Sequence, residues 1–236
     1  MSPNHTLNIL NGQSMYHFFK KTHFLNKEMM IPFNEAMCFG HTSSQLFSDT
    51  FIALRAKVHQ ITAIQYEEIT INPLYPLFHN DFTHLRLWFD TDMFCQMNLL
   101  TILAWLDQTN HSMPIDLHIV GHHFGILEKF TLEPMGYYEL YKQVLVHKTM
   151  PKCISPPPLK KGVELYLTYL HKDSDLMLYI QQHQNVPEKQ LVPVLLEKFT
   201  EYGLGDTQYM ELIQSSRKKS DNQTFSHPQK NDSNTK

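Results

Sequence analysis

Apolar and polar positions follow two rhythms along this chain, and the change falls near residue 130. Up to that point, short apolar runs are separated by longer helical stretches. Thr6 to Leu10, Glu28 to Phe33, Leu85 to Phe89 and Ile115 to Val120 are mostly Leu, Ile, Met, Phe or Val, the pattern of strands covered on both faces. Between the first two, MYHFFKKT reads as a short segment that Ser14 caps. From about Gln45 to Ile61 the residues Leu46, Phe47, Phe51, Leu54, Val58 and Ile61 recur at helical spacing, with Asp49, Arg55 and Lys57 on the outer face. Ala63 to Phe82 holds two prolines and an Asn-Asp turn signal, so it reads as irregular with a short helix before it. Asp92 to Asp107 is the strongest helix. Leu99, Leu100, Ile102, Leu103, Trp105 and Leu106 surround most of it, which predicts burial on more than one side.

Strand, helix, strand from Leu85 to Val120 is a βαβ unit, for which a right-handed parallel connection is the rule. After Gly121 the strand signal disappears. Pro134 to Val146, Leu159 to His171, Asp175 to His183, Glu188 to Tyr202 and Gly205 to Ile213 read as helices, and MPKCISPPP marks a boundary because its prolines stop any helix. From Ser215 the chain is polar and almost without apolar residues, the composition of a disordered tail. The expected architecture is therefore α/β. A mostly parallel, Rossmann-like sheet occupies residues 1–130, a helical C-terminal region 131–214 and a disordered tail 215–236.

Composition narrows the function classes. A formal charge of −3 gives no electrostatic reason to bind nucleic acid or an anionic membrane. The helix–glycine–helix segment near the C-terminus has no Arg or Lys in its second helix before Arg217, so it lacks the donors of a recognition helix. No apolar run approaches the ~20 residues of a membrane span. Three cysteines without a CxxC pair suit a reducing compartment, and the first residues lack the basic-then-apolar signature of a signal peptide. A soluble cytoplasmic protein is the expectation.

The candidate chemistry lies at the strand ends. In a parallel sheet the carboxyl ends emerge at one edge, where open α/β sheets bind their ligands. Here they carry Asn11-Gly12-Gln13-Ser14, Asn34-Glu35 with Cys38, Asp90-Thr91-Asp92 with Cys95 and Gln96, and Gly121-His122-His123. Asn11, Gln13, Glu35, Asp92, Gln96 and His122 are the candidate ligand-binding residues, for a small polar or phosphate-bearing ligand in a regulatory role. Asp90 and Asp92 are the candidate metal ligands. With a divalent cation as cofactor they define an alternative, a metal-dependent hydrolase or transferase. A third reading is a protein-interaction module without a small-molecule site, because turns need Asn, Asp, Gly and Ser for their own reasons. In it Asp92 is simply a helix N-cap and Asp90 a turn residue. Glu35 sits among apolar residues in PFNEAMCF, so a buried carboxylate there requires a partner. Cys95, one turn into an apolar helix, reads as a buried and inert thiol, and His118 within IDLHIV as a core or sheet-face residue.

The same turns carry a resemblance. LNILNGQS, IPFNEAMCFGHT, LWFDTDMFCQMNLLTILAWL and PVLLEKFTEYGLGDTQYMELI are similar, in order and spacing over most of residues 6 to 214, to a bacterial family known as domain of unknown function eighteen-thirty-five. Its pattern opens with LHIxNGDS, continues with WREALCEGP and then carries LWFExDLFCQLNLL. Asp92, Cys95, Gln96, Asn98, Leu99 and Leu100 match its DxxCQxNLL core. Gln13 stands in place of the acid of NGDS, and Phe33-Asn34 in place of Trp-Arg. The resemblance implies that the strand-end segments belong together and implies no particular reaction. A site built on that acid and that Arg would be altered in this chain. Asp90-x-Asp92 also resembles the haloacid-dehalogenase phosphatases superficially, but Met93 stands where that motif carries Thr or Val.

Overall fold

The apolar runs pair as their patterning requires. In the computed structural model, which describes residues 5–25, 27–79 and 82–224 (without the side chains of His122 and of 219–224), they build a five-stranded sheet. In chain order the elements are β1 (Thr6–Asn11), α1 (Gly12–Thr22), β2 (Met29–Phe33), α2 (Asp49–Val58), α3 (Ala63–Tyr66), α4 (Tyr75–His79), β3 (His84–Asp90), α5 (Met93–Gln108), β4 (Ile115–Val120) and β5 (Ile126–Leu132). They are followed by α6 (Tyr137–Tyr141), α7 (Pro157–Tyr169), α8 (Asp175–Gln182), α9 (Glu188–Lys198) and α10 (Asp206–Thr224). The sheet order is β2-β1-β3-β4-β5. All pairs are parallel except β4 with β5. The protein is thus a mixed α/β fold with a mostly parallel sheet and a helical C-terminal part.

Register fixes the two faces. Ile9, Leu87 and Leu117 align across the sheet, as do Leu10 with Trp88 and Trp88 with His118. Side chains alternate along each strand, so these two sets point to opposite faces. Met15 and Phe19 of α1 cluster with Leu10, Trp88 and Val120, which places α1 on the second face. A right-handed crossover from β3 to β4 puts α5 on the first. Twelve of the sixteen α5 residues are buried, as the all-round apolar pattern predicted. Asp107 accepts a 2.8 Å hydrogen bond from the Tyr138 amide and so fixes α6 to the far end of α5.

Several expectations are corrected. Helix α1 begins at Gly12, with Asn11 as N-cap, so Ser14 lies inside its first turn instead of capping it. Helix α2 is shorter than the pattern suggested, with Ser48 capping it through the Phe51 amide. Arg55, assigned to its outer face, is completely buried. The stretch after Thr62 is a chain of short helical turns, including a π turn at Glu67–Ile71. Strand β5 was not expected at all. It runs through residue 130, so the sheet extends beyond the anticipated domain limit, and the chain divides into two compact units after Leu167. Helix α10 continues to Thr224, ten residues into the segment expected to be disordered; residues 225–236 lie outside those described.

The second unit is helical. Leu176, Ile180, Leu191, Leu195, Tyr209 and Ile213 form its buried side, and Arg217 donates to Glu188 at 3.3 Å and to the Val186 carbonyl at 2.6 Å. Among the described residues no helix is long and apolar enough to cross a membrane.

Candidate functional site

Strand order reverses at β1. β2 lies on one side of it and β3 on the other, and the helices that follow β1 and β3 leave toward opposite faces. Such a divergence opens a crevice at the carboxyl ends of β1 and β3. Gly12 lies in that turn at φ +84, a conformation that disfavours any side chain, and a Cβ built there would meet nothing within 4 Å. Gln13 and Ser14 are exposed in the first turn of α1, and no side chain caps that turn. The amino end of an 11-residue helix therefore faces open space with its first amide groups uncapped.

The Asn11 side chain is free of the capping role because α5 engages it. Its Nδ2 donates to Cys95 Sγ at 2.6 Å, and its Oδ1 accepts from Asn98 Nδ2 at 2.9 Å. Asn98 also donates to the Glu35 carbonyl at 2.6 Å and accepts from the Met37 amide at 3.0 Å. Asp92 caps α5 by accepting from the Cys95 amide at 2.7 Å, and Gln96 Nε2 donates to the Asp90 carbonyl at 2.5 Å. Asp92, Cys95, Gln96 and Asn98 are spaced so that one end of α5 reaches the loops after β1, β2 and β3 together. Beside them Asn34 donates to Gln13 Oε1 at 3.2 Å, and Gln13 pairs with His17 at 2.9 Å.

Of the six residues expected to line a ligand site, Asn11, Gln13 and Asp92 stand at the crevice and remain at least partly exposed. Gln96 is completely buried. Gly162 of α7 lies so close over it that an added Cβ would fall under 3.0 Å from its side chain, and its Oε1 has no hydrogen-bond partner. Glu35 is turned away into a buried ion pair. One carboxylate oxygen accepts from Arg55 Nη2 at 2.7 Å, the Ala36 amide at 2.7 Å and His59 Nε2 at 2.6 Å; the other accepts from Arg55 Nε at 3.3 Å and from the Tyr66 hydroxyl. Arg55 also donates to the carbonyls of Ala36, Phe39 and His41, so it clamps the whole loop after β2. The side chain of His122 lies outside the described residues.

Electrostatics separate these carboxylates. Burial opposes the charge of Glu35, but Arg55 and then His59 outweigh it and hold its pKa down to about 2. Burial pushes Asp92 up to about 6, with Asp90 adding to the rise against the hydrogen bonds from Cys95. Burial raises the Cys38 thiol to about 12 and that of Cys95 well above its ordinary value, which keeps both protonated and unreactive. Asp90 accepts from the amide and hydroxyl of Thr91. Among the described residues no group of three or more His, Cys, Asp or Glu side chains is placed to hold a metal ion, so Asp90 and Asp92 have no third ligand of that kind.

Sequence reasoning missed Arg55, His59 and Tyr66 around Glu35, although the isolated acid in an apolar segment signalled that some partner was required. The contacts of Asn98 join segments more than 60 positions apart, which its place in the DxxCQxNLL core does not reveal. It also missed Lys148, whose half-buried ammonium donates to the Tyr166 hydroxyl and to the Leu145 carbonyl, and which burial and then Arg55 depress to about 8. Compared with known proteins, the chain matches no family model, no curated protein and no solved structure.

Proposed function

We propose that this chain recognises a small phosphate-bearing ligand in the crevice between β1 and β3 of a Rossmann-like sheet, as a binding protein in a regulatory role. The observation that carries the reading is the turn at Gly12. A positive-φ glycine with open space above it leads directly into a helix whose first amides no side chain caps, at the point where strand order reverses. Helix amino ends bind phosphate through those amides and the positive end of the helix dipole. Asn11, Gln13, Asn34 and Asp92 surround the position and supply polar contacts to the rest of the ligand. With its pKa raised to about 6, Asp92 repels an anion less below pH 6 than above it. Gln96, Asn98 and the Glu35–Arg55 pair hold the loops in place without touching the ligand. On this reading the chain belongs with the family that its strand-end segments resemble, and those segments together shape one crevice.

Thermal unfolding against a panel of nucleotides and phosphorylated metabolites tests the proposal. A ligand at 100 times its Kd stabilises the fold by about 2.7 kcal/mol, a visible shift in Tm. Gln13→Glu provides the specific control. It places a carboxylate where the helix dipole favours one, so the fold should be as stable or slightly more so, yet the phosphate response should fall about tenfold or more. A response of equal size in the variant would remove the phosphate from the α1 amino end.

A further inference from the structure

The second face of the sheet is covered at its carboxyl half by α1, through Leu10, Trp88 and Val120. Toward the amino half lies a separate polar basin of about 270 Å³, lined by Arg86, Asp116, His118, Lys129 and Thr131. These residues come from β3, β4 and β5 and face the same way. Arg86 is opposite Asp116 in the parallel register, and His118 and Asp116 are opposite Lys129 and Thr131 in the antiparallel one. The pairing of β5 with β4 therefore completes the basin.

Two of its buried polar atoms are unsatisfied. His118 is only 8% exposed, yet its Nδ1 is buried with no hydrogen-bond partner, and the same holds for Arg86 Nε. A buried donor or acceptor left unpaired costs about 1–3 kcal/mol, so two beside one cavity are a signature of something that normally satisfies them. The charges define what that is. Arg86 is half neutralised already, because Glu28 accepts from its Nη1 at 2.9 Å and from Asn8 Nδ2 at 2.8 Å. The side chains of Lys129 and Asp116 form no hydrogen bond or ion pair with the described residues and stand on the basin's two sides. One free cation and one free anion, together with an unpaired guanidinium N–H and a neutral imidazole, do not add up to a site for a simple anion. They match a ligand that carries both signs.

We infer that this basin binds a small zwitterion of the amino-acid class, its carboxylate received by Arg86 Nε and Lys129 and its ammonium by Asp116, with His118 Nδ1 pairing with whichever group lies over it. The site is about the smallest in which ligand pockets are found, which restricts it to a small molecule. His118 stacks edge-on against Trp88 with ring centroids 4.4 Å apart, so the indole reports on the site. The inference is independent of the phosphate crevice, which lies at the carboxyl ends of the strands.

The test is nitrogen-15 NMR of the His118 and Trp88 side chains in the full chain, titrated at constant ionic strength with a mixture of the common amino acids, with acetate and with inorganic phosphate. Saturable shifts are expected with the amino acids and not with acetate or phosphate. Asp116→Asn and Lys129→Gln alter side chains at the rim of the basin and should leave Tm nearly unchanged, while each weakens the amino-acid response by about tenfold. No shift with the amino-acid mixture would overturn the inference. So would an equal response to acetate or phosphate that survives Asp116→Asn, which would make the basin a plain anion site.

Discussion

Asn98 ties three separate segments together through one side chain. Its amide satisfies Asn11, the Glu35 carbonyl and the Met37 amide at once, and it is completely buried. Asn98→Ala leaves those groups unpaired in a water-free place and should cost about 2–4 kcal/mol, read as a fall in the urea midpoint. Glu35 is more demanding. Removing its charge by Glu35→Gln strands the buried Arg55 guanidinium, for an expected loss of about 3–5 kcal/mol, whereas replacing Glu35 and Arg55 together with apolar residues should recover much of it. Asp92 has the opposite sign. Its folded pKa is raised from 3.8 to about 6, so the stability linked to it is present at low pH and lost as pH rises through 6. Asp92→Asn keeps a good N-cap and removes that penalty. The variant should be more stable than the parent at pH 7, by about 1–3 kcal/mol, and no more stable at pH 3.5. Unfolding both proteins at the two pH values checks it.

At the scale of elements, α5 is the organising helix. Apolar residues all round it pack on the sheet and on α6, while its first turns carry the polar groups that join three loops. One point of contact with α7 has no slack: Gly162 lies against the buried Gln96 side chain, where any larger residue must displace something. Gly162→Ala should therefore destabilise by about 1–3 kcal/mol even though alanine favours helix, and calorimetry gives the sign directly. Much of this level was legible in the sequence. The four parallel strands lie within a residue or two of their apolar runs, and α5 within one residue of its pattern, because buried strands and helices must be continuously apolar or apolar all round. Strand β5 was not legible. Its residues Ile126 to Thr131 are exposed or half exposed, so the apolar signal is weak, and only pairing with β4 makes the segment a strand. The extension of α10 past Ser215 escaped for a similar reason, since its residues are polar and Arg217 anchors it to Glu188 from 29 positions away.

For the molecule as a whole, four groups among the described residues shape the response to acid. His118 is pressed by burial, and by Arg86 and Lys129, from 6.5 to about 4, so its contribution falls as pH drops through that window. Asp92 contributes in the opposite direction between about 6 and 3.8 and offsets much of this, while burial lowers His111 as well and adds to the loss. Glu35, held at about 2 against an ordinary 4.5, has no such counterweight, and its contribution is lost as pH falls from 4.5 toward 2. The unfolding free energy should therefore fall gently from pH 6.5 to 4.5 and steeply below, and urea titrations across that range would show it. Glu35→Gln should flatten the steep part.

The sequence by itself determined the α/β class, the parallel core of the sheet, the central buried helix and the edge at which polar turns gather. Each of these is written in the spacing of neighbouring residues, and the burial of a strand or helix forces that spacing. Tertiary structure alone decided which polar residues stay exposed at the strand ends and which face each other. Arg55 looked like a surface residue of its helix and Glu35 like a site residue, until a separation of 20 positions in sequence became one of 2.7 Å in space. The sheet-face basin likewise exists only because β5 folds back beside β4, bringing Lys129 across from His118. Local pattern records whether a side chain is wet or dry. The identity of the partner that makes a dry charge tolerable depends on distant chain, and no local pattern carries it.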